Sequence, residues 1–494
     1  MGNSCGSLDR YWELFRTKPK LQGGFIWDWI DQGLLVRGKD GKKMLAYGGD
    51  FGETRHDFDF CCNGMIASDR QVHPAMYEFR HLAQPVKVGL AEPAALRFFL
   101  ENRRDFSTLG DLEGTWRLQV DGRSVAEGTL PDFASLPPGK RMSFSLPLPA
   151  APLRGREAFL GFRFSVKRET PWCEAGTLLA HDQVELTRHL HLVAEAPRAA
   201  GVGAVPALTA SKRTFFLRSG EAVLAVDRLT GEGSVSCGGK KVLTKLFSCD
   251  LFRAGTDNDG IRGWTGQSMK PLHFWLAAGL DSLKTVECEV TIPRHPQATI
   301  RIRRVLVGSD PRARVCFRQS ITAEPDGSFL FRQEYRIPGK FPSLPRVGVT
   351  AETAPGFERV TWYGRGPWEN YPDRNAAAEI GEYSSTVTAM YESGYILPQE
   401  NGCRTDVRRM ELASAKNALL FASETPFSFN VGHCTDADLF AARHQCELKP
   451  RRETVVHLDL AQRGVGTGSC GPQTLPCCCL DEKRYSFVFR MKVR

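Results

Sequence analysis

No stretch of this 494-residue chain approaches the roughly 18 consecutive apolar residues of a membrane helix, and its first residues contain no apolar export core. Neither a spanning helix nor a cleaved leader is expected. The fifteen cysteines are scattered and none forms a C-x-x-C pair, which argues against a disulfide framework and against a tetrahedral zinc site. The triple Cys477-Cys478-Cys479 has no second cluster to complete such a site. Reduced thiols and a cytoplasmic location are the expectation. A large charge excess is lacking as well. The net charge of +9 is mild for this length, and Arg301, Arg303 and Arg304 read as a solvated strand face rather than a nucleic-acid stripe. His189 and His191 share a strand face but have no acidic third ligand at motif spacing, so they read as surface residues. Met1-Gly2-Asn3-Ser4-Cys5-Gly6 comes close to a myristoylation signal, yet its sixth position holds glycine where Ser or Thr is required.

The composition, 42% hydrophobic and 24% charged, is that of a globular protein with material for about three domains. The most chemically loaded stretch runs from Gln22 to Gln32, Gln-Gly-Gly-Phe-Ile-Trp-Asp-Trp-Ile-Asp-Gln. Phe25, Ile26 and Trp27 predict a strand buried on both faces, with Gly23-Gly24 allowing close approach of a neighbour. Trp27 and Trp29 then read either as core aromatics or as residues at a strand exit, where sites are built.

Upstream, Leu8, Tyr11, Trp12 and Phe15 recur at helical spacing and predict a helix from about Asn3 to Arg16. Downstream come a turn at Lys39-Asp40-Gly41, a glycine-rich loop from Ala46 to Gly52, and a helix opened by His73-Pro74 and running to about Ala83. Helix, strand, loop, helix is only a fragment of an α/β architecture. Beyond Pro85 the period changes to two. Trp116, Leu118 and Val120 lead into Asp121-Gly122, a strong hairpin signal, and Phe144 with Leu146, then Phe162, Phe164 and Val166, repeat the alternation. An immunoglobulin-like sandwich is expected there, closed by the small-residue linker 199–206. From about Ser211 to the end the pattern is antiparallel throughout, as in one large sandwich.

Three loop clusters stand out in that last region: Arg253 to Gly260, Tyr363 to Arg374, and Leu397 to Arg404. Their aromatic, amide, carboxylate and guanidinium groups suit a polyol, whose hydroxyls meet planar polar groups. Equally, Asp257, Glu369, Asp373 and Arg374 have the chemistry to tie down their own turns.

At this point Met1 to Ser4, Leu21 to Gln32, Ala46 to Gly52, Phe60 to Gly64, Thr256 to Gly260, the Gly-Pro-x-Glu-Asn-Tyr-Pro-Asp-Arg run at 366–374 and Gln399-Glu400-Asn401-Gly402 are taken together. In collinear order they resemble the C-terminal half of the large bacterial-type β-galactosidases of glycoside hydrolase family 2. The resemblance implies a mainly β multidomain chain. Residues 1–84 would be the closing remnant of a (β/α)8 barrel, 85–200 an immunoglobulin-like β-sandwich, and 201–494 a β-supersandwich of galactose-mutarotase-like type. It further implies that the catalytic nucleophile and the acid/base, with the magnesium ligands, precede Met1, so no catalytic residue is assigned here. Asp28, Asp31 and Asp50 do not match the family's catalytic positions and read as supports. Trp27 matches the apolar platform of the galactose subsite. The carbonyl of Phe60 with the side chain of Asn63 matches part of a sodium site that receives a sugar hydroxyl. No magnesium site is expected, and the family's aromatic toward the aglycone would fall near Gly468 to Cys470, where there is none.

Three functions follow as expectations. The chain is a piece of a retaining β-galactosidase, inactive by itself and prone to aggregate. Or it is a non-catalytic galactoside-binding protein. Or it is one subunit of a split enzyme, completed by an N-terminal chain and assembling further as a homo-oligomer. Neither nucleic acid nor membrane is an expected partner.

Overall fold

The aromatic stripe near the N-terminus folds as the expected helix, which begins at Leu8 rather than near Asn3. In the computed structural model, which describes residues 2–38, 41, 43–193, 205–294, 297–339 and 341–494, helix α1 spans Leu8–Thr17 and buries Leu8. The Lys18 amide closes its end on the Leu14 carbonyl at 2.9 Å, and Pro19 forbids a further turn. Strands β1 (Leu34–Arg37) and β2 (Lys43–Ala46) form a hairpin. Of the turn expected between them, Lys39 and Asp40 lie outside the described residues. Helix α2 occupies Pro74–Leu82, starting on a proline whose missing N–H is not needed in a first turn.

The expected strand at Phe25 to Trp27 does not form. This segment has no ladder, and the nearest pairing is a single parallel bridge between Ile30 and Ile66. Phe25, Trp27 and Trp29 are exposed to 105, 79 and 57%. A strand's backbone groups need a neighbour, and none of the described residues supplies one there.

Two compact units result: Met1–Met76 with Ala200–Asn375 and Tyr383–Arg494, and Tyr77–Ala199 with Ala376–Glu382. Most of the expected linker, residues 199–204, lies outside the described residues. In the smaller unit β3 (Val86–Glu92), β4 (Arg97–Asn102) and β7 (Arg141–Ser145) make one sheet. The short β8 (Leu153–Arg154) pairs in parallel with Leu192–Val193 as a separate two-stranded sheet. The second sheet has the order β10 (Leu178–Glu185), β9 (Ala158–Val166), β5 (Leu112–Val120), β6 (Arg123–Thr129). The Asp121-Gly122 turn has φ of 50° and 86°, the paired positive values that match a two-residue turn to strand twist. Inward residues of both sheets meet in a phenylalanine core, with Phe98 at 5.7 Å from Phe144 and 5.6 Å from Phe162 between ring centroids.

In the larger unit sixteen strands form one hydrogen-bonded network, from Ala207–Ala210 to Arg484–Val493. It encloses a continuous apolar core. Phe247 packs edge-on against Phe331, Phe421 and Phe489 at 5.4, 5.9 and 5.1 Å, rings from strands that are not its ladder partners, as two facing layers require. Among the described residues no helix is long and apolar enough to cross a membrane.

Candidate functional site

The three loop clusters do not face outward to a polyol. Asp257, Glu369, Asp373 and Arg374 are all buried, and the turn-tying alternative prevails on a larger scale. Arg374 pairs with Glu369 at 2.5 Å, Asp373 accepts the Val465 and Gly466 amides at 2.9 and 2.8 Å, and Arg253 grips Asp259 through two bonds of 2.8 and 3.1 Å. Desolvation leaves such groups no option but to pair.

What they clamp is the segment Gly2 to Ser7. The Asn3 amide donates to Gln399 Oε1 at 3.1 Å and its side chain to the Glu400 carbonyl at 2.8 Å. Asn258 Nδ2 reaches the Asn3 carbonyl and Ser4 Oγ at 3.2 and 3.0 Å, and Arg374 Nη1 donates to the Ser4 carbonyl at 2.7 Å. The Gly6 amide donates to the Gly466 carbonyl at 3.0 Å. Through these bonds the sandwich loops fix α1 and thereby one wall of a cavity.

That cavity, about 710 Å³, lies within the larger unit. It is lined by Tyr11, Trp12 and Phe15 of α1, by Gly23 to Trp27, by Phe60, Asn63 and Met65, and by Thr467, Ser469 and Cys470. Its lining is predominantly apolar and aromatic and includes no Asp or Glu. Trp27 and Asn63 are therefore brought to one cavity. The Asp28 amide donates to the Asn63 carbonyl at 2.7 Å, and Asn63 Nδ2 donates to the Phe60 carbonyl at 2.6 Å. The Phe60 ring packs on Trp264 with centroids 4.6 Å apart, which secures the Phe58–Cys61 turn.

The acidic residues of the motif stand outside the lining. Asp28 accepts from Gln32 Nε2 at 2.9 Å and from the Trp29 amide, and the Gln32 bond, then the Trp29 bond, hold its carboxyl below the usual range. Asp31 is buried between His73 Nε2 at 3.0 Å and the Gly64 amide at 2.6 Å. Asp50 takes the Tyr47 amide at 2.8 Å and pairs with His444 at 2.9 Å. Each braces backbone.

Asp250, Asp436 and His457 have a spacing that a metal ion could use. That position is filled by a guanidinium. Arg346 Nη1 lies 3.2, 2.9 and 3.1 Å from Asp250 Oδ2, Asp436 Oδ2 and His457 Nδ1, and Arg346 Nη2 is 3.0 Å from Glu400. Burial with too little positive charge to share pushes neighbouring Asp459 up to about 7.

Sequence reasoning overlooked the cavity roles of Tyr11, Trp12, Phe15 and Met65. The helical aromatic stripe was visible, but its spacing predicts a helix and by itself points to no site. The segment from Thr467 to Gly471, in which the resemblance would put an aglycone aromatic, lines the cavity with Thr467, Ser469, Cys470 and Gly471.

Comparisons with known proteins agree along the whole chain. The sequence model of the β-galactosidase small chain matches residues 218–491, that of the glycosyl hydrolase family 2 TIM barrel domain residues 1–88, and that of β-galactosidase domain 4 residues 98–187. A β-galactosidase of Aeromonas hydrophila subsp. hydrophila is 32% identical, with 94% of this chain and 44% of that protein aligned. One of Vibrio cholerae is 31% identical over 100% of this chain and 47% of its own length. This chain thus spans about half the length of the curated relatives it matches. Among solved structures, an aldose epimerase homologue of C. elegans overlays at a TM-score of 0.27 and 8% identity, covering 59% of this chain and 99% of that one, too weak a likeness to add to the fold. With the small-chain model alone covering more than half of its residues, the chain belongs to the β-galactosidases of glycosyl hydrolase family 2, of which it represents the C-terminal half.

Proposed function

We propose that this chain supplies the galactoside-facing wall of a retaining β-galactosidase, and that the two catalytic carboxyl groups belong to residues N-terminal to it. The observation that carries the reading is the cavity lining: a large aromatic pocket with Trp27 and Asn63 and no carboxylate. Retaining glycosidases require two carboxyl groups about 5 to 5.5 Å apart. Trp27 offers a flat apolar ring to the C–H face of a sugar, and Asn63 offers an amide to its hydroxyls. Without the carboxyl pair the chain binds a terminal β-galactoside weakly and does not cleave it.

The sodium assignment fits in part. The Phe60 carbonyl and the Asn63 side chain are adjacent, but the amide as placed donates its own N–H to that carbonyl. Turning the amide would set two oxygens side by side, an arrangement a hard cation stabilises, yet a hard cation takes more oxygens than these two. When bound, such an ion would receive a sugar hydroxyl, with the remaining ligands drawn from outside the chain. No residue here is assigned to magnesium.

The natural partner on this reading is an N-terminal segment bearing the carboxylates, with homo-oligomerisation beyond it, in the cytoplasm, where fifteen unpaired thiols stay reduced. A titration of methyl β-D-galactopyranoside followed by tryptophan fluorescence tests the binding half. A signal that saturates and disappears in Trp27→Ala is the expected result. An identical titration in Trp27→Ala contradicts it.

A further inference from the structure

The outer face of the smaller unit's four-stranded sheet carries a second concavity of about 290 Å³, lined by Thr115, Arg117 and Gln119 of β5, Glu127 of β6, Gly161 and Arg163 of β9, and Glu379. All of these belong to one compact unit. The volume falls just below the roughly 300 to 1,000 Å³ usual for small-molecule sites, which limits it to holding about one sugar-sized ring of a saccharide.

The floor is Gly161. Glycine in a strand interior is unfavourable and marks either special backbone geometry or close approach of something else. Gly161 has no positive φ, and a Cβ built on it would meet nothing nearer than the Arg117 carbonyl at 3.9 Å. Neither backbone nor packing demands glycine at this position. Its effect is to leave the trough open between Arg117 and Gln183, its cross-strand neighbours on either side.

The rim is polar and electrically balanced. Arg117 Nε donates to Glu127 at 3.1 Å, and Arg163 Nη2 donates to Glu379 at 3.1 Å, with Glu379 held also by His181 Nδ1 at 2.8 Å. Two guanidinium groups and two carboxylates cancel, so the trough exerts no net pull on an anion. Arg117 and Arg163 each carry further N–H donors beyond the one that meets a carboxylate. Among the described residues the Thr115 hydroxyl and the Gln119 amide have no hydrogen-bond partner. Trp116, alternating with Thr115 and Arg117 along β5, turns its indole inward to the phenylalanine core, so the trough is lined by polar groups.

Alternating planar donors and acceptors of zero net charge around a glycine floor match a neutral polyol, whose vicinal hydroxyls both give and accept hydrogen bonds. We infer that this trough is a second, non-catalytic subsite for a neutral saccharide, separate from the cavity that holds Trp27.

Saturation-transfer NMR with lactose on the full chain tests this, using Trp27→Ala to remove the first cavity's contribution. The Trp27→Ala chain is expected to retain a lactose signal, and adding Gly161→Val is expected to cut that signal at least tenfold. Valine suits a strand, and a Cβ at this position meets nothing nearer than the Arg117 carbonyl at 3.9 Å, so circular dichroism and thermal midpoint should not move. Should that variant misfold, Thr115→Val with Gln119→Ala is expected to produce the same tenfold loss. A signal that both sets of trough substitutions leave intact overturns the inference, as does its absence from Trp27→Ala alone or its displacement by equimolar inorganic phosphate. Failure of the Trp27 reading is seen separately: Trp27→Ala would then change nothing in a Gly161→Val background.

Discussion

The Asp28 amide donates to the Asn63 carbonyl at 2.7 Å, and this bond ties the tryptophan-bearing segment to the turn that carries Asn63. Asn63 in turn caps the Phe60 carbonyl. Two stretches more than thirty residues apart thus present a ring and an amide to the same cavity. Trp27 is 79% exposed, so Trp27→Ala should leave stability within about 0.5 kcal/mol while weakening galactoside binding tenfold or more. Denaturation and fluorescence titration of the same sample measure both.

Asp31 is the brace behind that wall. It is 7% exposed and lies between His73 and the Gly64 amide. Removing one member of a buried pair costs about 3 to 5 kcal/mol. Asp31→Ala should therefore lower the urea midpoint clearly and release Asn63, with loss of binding. Asp31→Asn keeps one acceptor oxygen and should fall between.

Exposed Phe25, Trp27, Trp29, Leu34 and Leu35 form apolar surface on one end of the larger unit's sequence. Surface of this kind drives association. Sedimentation velocity should show concentration-dependent self-association of the chain alone, reduced by Phe25→Ser. A monodisperse monomer across the concentration range would speak against it.

The smaller unit should lose stability below neutral pH. Burial, then the nearby charge of His181, depresses His81 from 6.5 to about 2, with Lys87, Arg103 and Arg80 adding to the same direction. The unfolded chain therefore binds a proton below pH 6.5 that the folded chain refuses. Stability contributed by neutral His81 is present above pH 6.5 and is lost as pH falls, by up to about 1.4 kcal/mol per unit. Between pH 7 and 5 the wild type should lose up to about 2 kcal/mol more than His81→Leu, as read from denaturant midpoints. Asp459, raised to about 7, acts oppositely in the larger unit: folding binds its proton, so that contribution is lost as pH rises from 3.8 to 7.

Local chemistry was legible in the sequence. The α1 stripe, the proline start of α2, the Asp121-Gly122 turn and the alternation of Phe162, Phe164 and Val166 each depend on near neighbours, and each formed. Phe25 to Trp27 reads as a strand because its residues are strand formers, but a strand is a property of pairs, and no partner pairs with it among the described residues. The loops at 253–260, 366–374 and 399–404 look like a binding surface because planar polar groups serve sugars and buried clamps equally well. Only their burial against Gly2 to Ser7 decides between the two. Met65 reaches the cavity beside Cys5, 60 residues away, and the 467–471 segment is held by Asn258, 211 residues from Ser469, separations that no local pattern encodes.

The central claim is that this chain holds a galactoside wall without the catalytic carboxyl pair. Turnover of a chromogenic β-galactoside tests it most directly, with the purified chain alone and then mixed with the N-terminal half of a related β-galactosidase that bears both carboxylates. The account predicts no hydrolysis by the chain alone and hydrolysis in the mixture that falls when Trp27→Ala is used. Hydrolysis by the chain alone would contradict it.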